Sequence, residues 1–270
     1  MNLFNIENKI ILITGGGGVL GGEMASYLLG NGATVVILDY KYEIVNNAIE
    51  RLQKVSDTVF GFVCNVLEES SLQDISDKII QQFGKIDILI NAAGGNMPGA
   101  TIGENQTIFD VKIDDFKKVV DLNLFGSILP SLVFGKEMVK SKQGVIINIS
   151  SMTAQSAITR VVGYSASKAA IDNFTKWLSV ELSLKYGDGL RVNAIAPGFF
   201  IGNQNRDLLL NKDGSYTDRG NTIIKNTPMK RFGEAEELNG SIHYLCSEAS
   251  KFITGVVIPI DGGFSAFSGV

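Results

Sequence analysis

Three residues in the stretch "SSMTAQSAITRVVGYSASK" could do chemistry together: Ser151, Tyr164 and Lys168. Tyr164 and Lys168 are four apart, so on a helix they share one face. A free tyrosine titrates near pH ~10. A nearby ammonium favours the phenolate, which makes the phenol a usable acid or base near neutrality. Ser151 could hydrogen-bond a substrate oxygen as charge develops on it. Small residues between the pair (Ser165, Ala166, Ser167) leave room for a ligand against the helix. A Tyr-xxx-Lys pair also arises by chance, so its weight depends on its neighbours.

One neighbour is "TGGGGVLGG", Thr14 to Gly22. Gly16-x-Gly18-x-x-Gly21 fits a dinucleotide fingerprint between a strand and a helix. A tight turn and close approach to a pyrophosphate both require missing Cβ atoms. The helix that follows aims free N–H groups and its positive dipole end at the phosphates. Asp39 closes the second strand eighteen residues after Gly21 and suits the adenosine ribose hydroxyls. Its carboxylate would repel a 2′-phosphate, so NAD(H) is expected over NADP(H), although Lys41 is close by. "NAAGG", Asn91 to Gly95, is a further run of small residues where a chain could lie against a flat ligand.

These residues need a frame, and the sequence supplies one. Apolar runs at 9–14, 34–39, 59–63, 86–91, 144–150, 190–195 and 255–260 read as strands. Most are continuously apolar, as in strands covered on both faces. Helical patterns alternate with them at about 19–31, 43–54, 68–83, 114–141, 163–186 and 235–247. Strict alternation implies right-handed crossovers. The expected fold is a single α/β domain over 1–270, a doubly wound Rossmann fold with a seven-stranded parallel sheet and helices on both faces. Segments 95–113 and 199–233 break the rhythm, and both follow C-terminal ends of strands, where open α/β sheets bind ligands.

Composition narrows the function. The 270 residues are 45% hydrophobic with a net charge of −4, and no basic stripe marks a nucleic-acid partner. Cys64 and Cys246 form no CxxC pattern, and His243 is the only histidine, so no disulfide framework, metal site or Ser-His-Asp triad is indicated. No leader pattern and no apolar run of membrane-spanning length is legible. The expectation is a cytoplasmic protein with no membrane or nucleic-acid partner and no metal.

Taken in order, the glycine loop at 14–21, "NAAG" at 91–94, Asn123 in "DLNLFG", Ser151, Tyr164 with Lys168, "APG" at 196–198 and "DGG" at 261–263 resemble the short-chain dehydrogenase/reductase family over nearly the whole chain. That resemblance implies Tyr164 as general acid/base, Ser151 polarising the substrate oxygen, and Lys168 binding the nicotinamide ribose. It implies Asn123 holding a water in a proton relay. It implies a cofactor site of Gly15, Gly18, Val19, Leu20, Gly21, Asp39, Asn65, Val66, Asn91, Ala92, Ala93, Gly94, Tyr164, Lys168, Pro197 and Gly198. It also implies a homotetramer paired through the helices at 114–141 and 163–186. The sequence departs from the family in three places. Val19 stands where a glycine is usual, and its side chain is expected to turn toward the helix packing. Asn65-Val66 replaces Asp-Val, with the amide still able to bond adenine. The usual Thr after "PG" is absent.

The substrate is read from the irregular segments. Asn203, Gln204, Asn205 and Arg206 form a polar cluster after the "PG" turn, and Asn96 lies beside the expected cofactor position. Amides suit a polyhydroxylated ligand, and a guanidinium suits a carboxylate. The expected substrate contacts are Asn96, Ser151, Tyr164, Asn203 and Arg206, under a loop or lid at about 199–232. "NQNRDLL", "DGSYTDRG", "TPMKRFG" and the ending "DGGFSAFSGV" resemble the family's sugar-acid branch. This implies NADH-dependent reduction of D-fructuronate to D-mannonate. Gluconate 5-dehydrogenase or another polyol dehydrogenase, a 3-oxoacyl-carrier-protein reductase and a non-enzymatic NAD(H) sensor remain as alternatives.

Overall fold

The structure is a computed structural model that describes residues 2–202 and 205–269. Its elements run β1 (Ile10–Thr14), α1 (Val19–Gly30), β2 (Thr34–Asp39), α2 (Tyr42–Leu52), β3 (Val59–Val63), α3 (Glu69–Phe83) and β4 (Ile88–Asn91). Then come α4 (Ile113–Val120), α5 (Gly126–Ser141), β5 (Gly144–Ile149), α6 (Val162–Tyr186) and β6 (Leu190–Pro197). The chain closes with α7 (Arg206–Leu209), α8 (Asp218–Asn226), α9 (Asn239–Cys246) and β7 (Val257–Ile260). The seven strands form one parallel sheet in the order β3-β2-β1-β4-β5-β6-β7. The order reverses between β1 and β4, and a crevice at such a reversal is where doubly wound sheets hold ligands.

Side chains alternate across the sheet, so each strand feeds two cores. Ile11, Ile13, Val35 and Ile37 pack with Met24, Leu28, Ile242 and Leu245. Leu12, Val36 and Leu38 pack on the other face with Leu72, Ile79, Phe134 and Leu178. Both faces are covered, which explains why the strands read as unbroken apolar runs.

The helix expected over 114–141 differs in detail. A π turn at Asp121–Phe125 separates α4 from α5 and carries Asn123. The whole stretch Ile113–Ser141 is also long and apolar enough to cross a membrane, which the sequence pattern did not suggest. Its Val133, Phe134 and Met138 pack against the sheet, so its apolarity serves the core.

A buried polar ladder runs beneath the sheet edge. Asn91 and Asn148 are register partners on β4 and β5. The Asn91 amide donates to Asn148 Oδ1 and Ser131 Oγ, both at 2.8 Å. The Asn148 amide donates to Thr175 Oγ1 at 2.8 Å, which ties both strands to α5 and α6.

Candidate active site

The site forms where β1, β4, β5 and β6 end. Gly15 leaves β1 with φ of +65°, and a Cβ there would stand 2.8 Å from the Ala93 Cα. A Cβ on Gly21 would collide with the Gly15 carbonyl. The loop therefore packs backbone against backbone, which only glycine permits. Gly18 caps α1 in an extended conformation, with no side-chain cap and no acid in the first turn. The first N–H groups of α1 are thus left for an anion, and the cradle fits a dinucleotide pyrophosphate.

Asp39 is the last residue of β2, beside the glycine loop. Its carboxylate accepts from the Gly17 N–H at 3.2 Å and the Tyr40 N–H at 2.9 Å. Lys41 turns its ammonium over the Tyr40 ring, 5.1 Å from the centroid. Thr14 joins the two loops: its hydroxyl accepts from the Ala92 and Ala93 N–H groups, each at 3.1 Å. Thr14 was not among the expected site residues. A polar residue ending an otherwise apolar strand beside a glycine run was the available signal.

Ser151 follows β5, and Tyr164 and Lys168 share one face of α6. The Ser151 hydroxyl accepts from the Thr153 N–H at 3.2 Å and is near enough to the Tyr164 phenol to draw its pKa down. The Lys168 ammonium is buried, donates to the Ile149 carbonyl at 2.7 Å, and lies 5.4 Å from the Tyr164 ring centroid. Burial lowers the Lys168 pKa to about 8, and the Asp172 carboxylate opposes it. Tyr164 goes the other way from the expectation. Burial holds its pKa above the ordinary tyrosine value, and the Ser151 hydroxyl is what pulls it down. The reason is geometric, since the lysine directs a proton at a strand carbonyl. Behind it, Ser150 and Asp172 bond each other.

Several expected residues take other work. The Asn123 amide donates to the Gly95 carbonyl at 2.6 Å and the Val119 carbonyl at 2.8 Å, and its oxygen accepts from the Gly95 N–H. Its side chain therefore locks the 91–95 loop to the π turn, with both amide hydrogens used and one lone pair of Oδ1 left over. A Cβ on Gly94 would stand 2.8 Å from Asn123 Oδ1 and 3.5 Å from Lys168 Nζ, so Gly94 lies between them. The Asn91 side chain belongs to the buried ladder, which leaves only its backbone for a ligand. The Asn65 amide donates to Glu68 at 2.7 Å and accepts from the Leu67 N–H, which leaves it one donor and one lone pair. Val66 is buried against Gly126. Val19 is exposed on the first turn of α1 and does not pack into the helix as expected, while Leu20 packs on the core. Gly198 holds to β7 through the Ile260 carbonyl at 2.9 Å, directly after Pro197.

On the substrate side, Asn96 donates to Thr101 Oγ1 at 2.8 Å, and its own oxygen is buried without a partner. Arg206 begins α7 and is exposed; its N–H bonds the Gly202 carbonyl at 3.0 Å, and its guanidinium meets no carboxylate among the described residues. Asn203 and Gln204 lie outside the described residues.

Comparison with known proteins decides the family. The family model for short chain dehydrogenases matches residues 9–211. The chain is a short-chain dehydrogenase. An oxidoreductase of Bacillus subtilis named UxuB, described as uncharacterized, is 45% identical over 98% of each chain. The 2-dehydro-3-deoxy-D-gluconate 5-dehydrogenase of Formosa agariphila is 34% identical, over 100% of this chain and 97% of its own. A solved structure of a Haemophilus influenzae protein, provisionally named a D-mannonate oxidoreductase and holding NAD, is 44% identical with a TM-score of 0.91 over 98% of each chain. This short-chain dehydrogenase accordingly acts on CH–OH groups or the matching carbonyls.

Proposed function

We propose that this dehydrogenase interconverts D-fructuronate and D-mannonate with NADH as the preferred cofactor. The observation that carries this reading is the 44% identity, across 98% of both chains, to the Haemophilus influenzae protein named for D-mannonate and holding NAD. The glycine cradle and Asp39 support the cofactor. A carboxylate bonded to the Gly17 N–H leaves its other lone pairs for ribose hydroxyls and sets a like charge against a 2′-phosphate.

NADH, when bound, supplies the hydride. The chain's own residues manage the oxygen. Ser151 and Tyr164 are neighbours, so a carbonyl oxygen between them would accept from both hydroxyls. Tyr164, kept protonated by burial, gives its proton to that oxygen as charge develops. Lys168, anchored on Ile149, holds positive charge behind the phenol and stabilises the phenolate that remains.

The test is nicotinamide absorbance with D-fructuronate, using NADH and NADPH in parallel, and 5-ketogluconate beside it. Rapid NADH oxidation with D-fructuronate alone is expected. The Formosa relative favours a second reading, a gluconate-type 5-dehydrogenase, and turnover of 5-ketogluconate instead would establish it. Activity with neither would leave only the family chemistry standing.

We also propose a homotetramer in the cytoplasm. Trp177, Val180 and Leu184 line one face of α6 at helical spacing and are exposed, as is Leu132 on α5. Native mass measurement tests it: four copies are expected, and Trp177→Glu should dissociate them.

A further inference from the structure

The chain has six arginines, and the fold disposes of them unequally. Arg191 is buried and donates to Ser250 and the carbonyls of Leu245 and Ser247. Arg231, which lines a cavity with Phe199 and Asp261, is paired in bidentate fashion with Glu237, both contacts at 2.6 Å. Arg51 lies across α1 beside Gly22, and Arg206 is exposed on α7. Arg160 and Arg219 remain, and they come from different segments that meet at Thr159.

Arg219 sits in the first turn of α8, inside the segment read as a lid. It reaches across to the loop that joins Ser151 to Tyr164, donating to Thr159 Oγ1 at 3.3 Å and the Thr159 carbonyl at 3.4 Å. Those are long bonds, and they occupy two of a guanidinium's five donors. Among the described residues no carboxylate pairs with it. Burial lowers its pKa first, and the charge of Arg160 lowers it further. Arg160 holds φ of +78°, an uncommon conformation for a residue with a side chain. The Ile102 N–H bonds its carbonyl at 2.9 Å, and Glu104, which is 84% exposed, meets its guanidinium at 3.4 Å. Arg160 thus has one solvated carboxylate, and Arg219, held to the residue before it, has none among the described residues. Beside them a cavity of about 150 Å³ is lined by Ile158, Thr159, Arg219, Phe199 and Phe264, with the two phenylalanines edge to face at 5.3 Å.

We infer that Arg219, backed by Arg160, is the subsite that takes the carboxylate of the substrate, in place of Arg206. This rests on the sugar-acid reading above. The acid group and the reacting carbon are at separate positions on one short chain, so they require two subsites. Tyr164 follows Arg160 by four residues, which puts the two subsites on one continuous segment. A fork of free donors on a partly desolvated arginine suits a carboxylate, and the nearby Arg160, paired only with the exposed Glu104, raises the pull on it.

The test compares D-mannonate with D-mannitol, which has the same chain without the acid, by calorimetry on the NADH-loaded protein and by steady-state kinetics. Arg219→Gln is expected to weaken D-mannonate binding roughly ten- to hundredfold, the range for a lost charge-assisted pair. The kcat, the NADH affinity, the melting temperature and the response to D-mannitol should hold. Arg219→Lys should recover part of the loss, and Arg206→Ala should change nothing. Equal weakening toward D-mannitol, or a loss in Arg206→Ala with none in Arg219→Gln, overturns the subsite. If wild type binds D-mannonate through Arg219 but reduces no keto sugar acid, the subsite stands and the reaction assignment falls. If it reduces D-fructuronate with Arg219→Gln unimpaired, the reverse holds.

Discussion

The Lys168 ammonium donates at 2.7 Å to the carbonyl of Ile149, the last residue of β5, two residues before Ser151. One hydrogen bond thereby fixes the helix carrying Tyr164 against the strand carrying Ser151. It also fixes where the positive charge sits. Burial has brought this lysine to a pKa of about 8, so it is charged below that value and neutral above it. Ketone reduction needs the cation and the protonated phenol together. The kcat/KM for reduction is therefore expected to be level on the acid side and to fall as pH rises through about 8. A pH profile of NADH oxidation reads this directly; a flat profile well above that value would remove Lys168 from the chemistry.

Tyr164→Phe keeps the ring and deletes the proton. Turnover should fall about 10²- to 10⁴-fold, the usual worth of a positioned acid. NADH binding, measured by fluorescence, should be unchanged, because Tyr164 enters after the cofactor is held by the glycine loop.

Asp39→Ala removes the carboxylate bonded to the Gly17 N–H. The KM for NADH should rise about tenfold or more, on the scale of a hydrogen bond to a charged group. NADPH should gain relative to NADH. An unchanged NADH-to-NADPH ratio would show that the preference lies elsewhere.

Asn148→Ala breaks the buried ladder at its centre. It leaves one hydrogen of the Asn91 amide without its acceptor and the Thr175 hydroxyl without its donor below the site. Roughly 2 kcal/mol or more of stability should be lost, since each buried unpaired group costs about 1–3 kcal/mol. Denaturant unfolding measures it. Asn148→Asp, which keeps an acceptor for Asn91, should separate the two halves of the effect.

Glu237 reports acid stability. Its hydrogen bond from Arg231 holds the carboxyl at a pKa of about 2. A depressed carboxyl stabilises the fold above its ordinary pKa, and the contribution is lost as pH falls through the folded value. Glu237→Gln should therefore melt slightly lower than wild type at neutral pH. The gap should close as pH falls from the ordinary glutamate range toward about 2. Both side chains are solvated, so the effect is small. A gap independent of pH would mean that packing, not charge, is involved.

The sequence by itself determined the frame and the local motifs. Continuous apolar strands, alternating helices and the glycine spacing are periodic, short-range signals, and they led to the seven-stranded parallel sheet, the cofactor cradle at Gly15–Gly21 and the grouping of Ser151, Tyr164 and Lys168. The tertiary structure decided the partnerships. It gave Asn123, Asn65 and Asn91 bonds to their own chain, because an amide's partner depends on which backbone groups a fold leaves unpaired nearby. It turned the Lys168 ammonium toward Ile149 and let burial raise Tyr164, because desolvation is set by everything packed around a group. It brought Arg219 from α8 to Thr159 beside Arg160, sixty residues away in sequence, while leaving Arg206 exposed. No local pattern encodes that meeting, since it follows from where β5 and β6 end side by side.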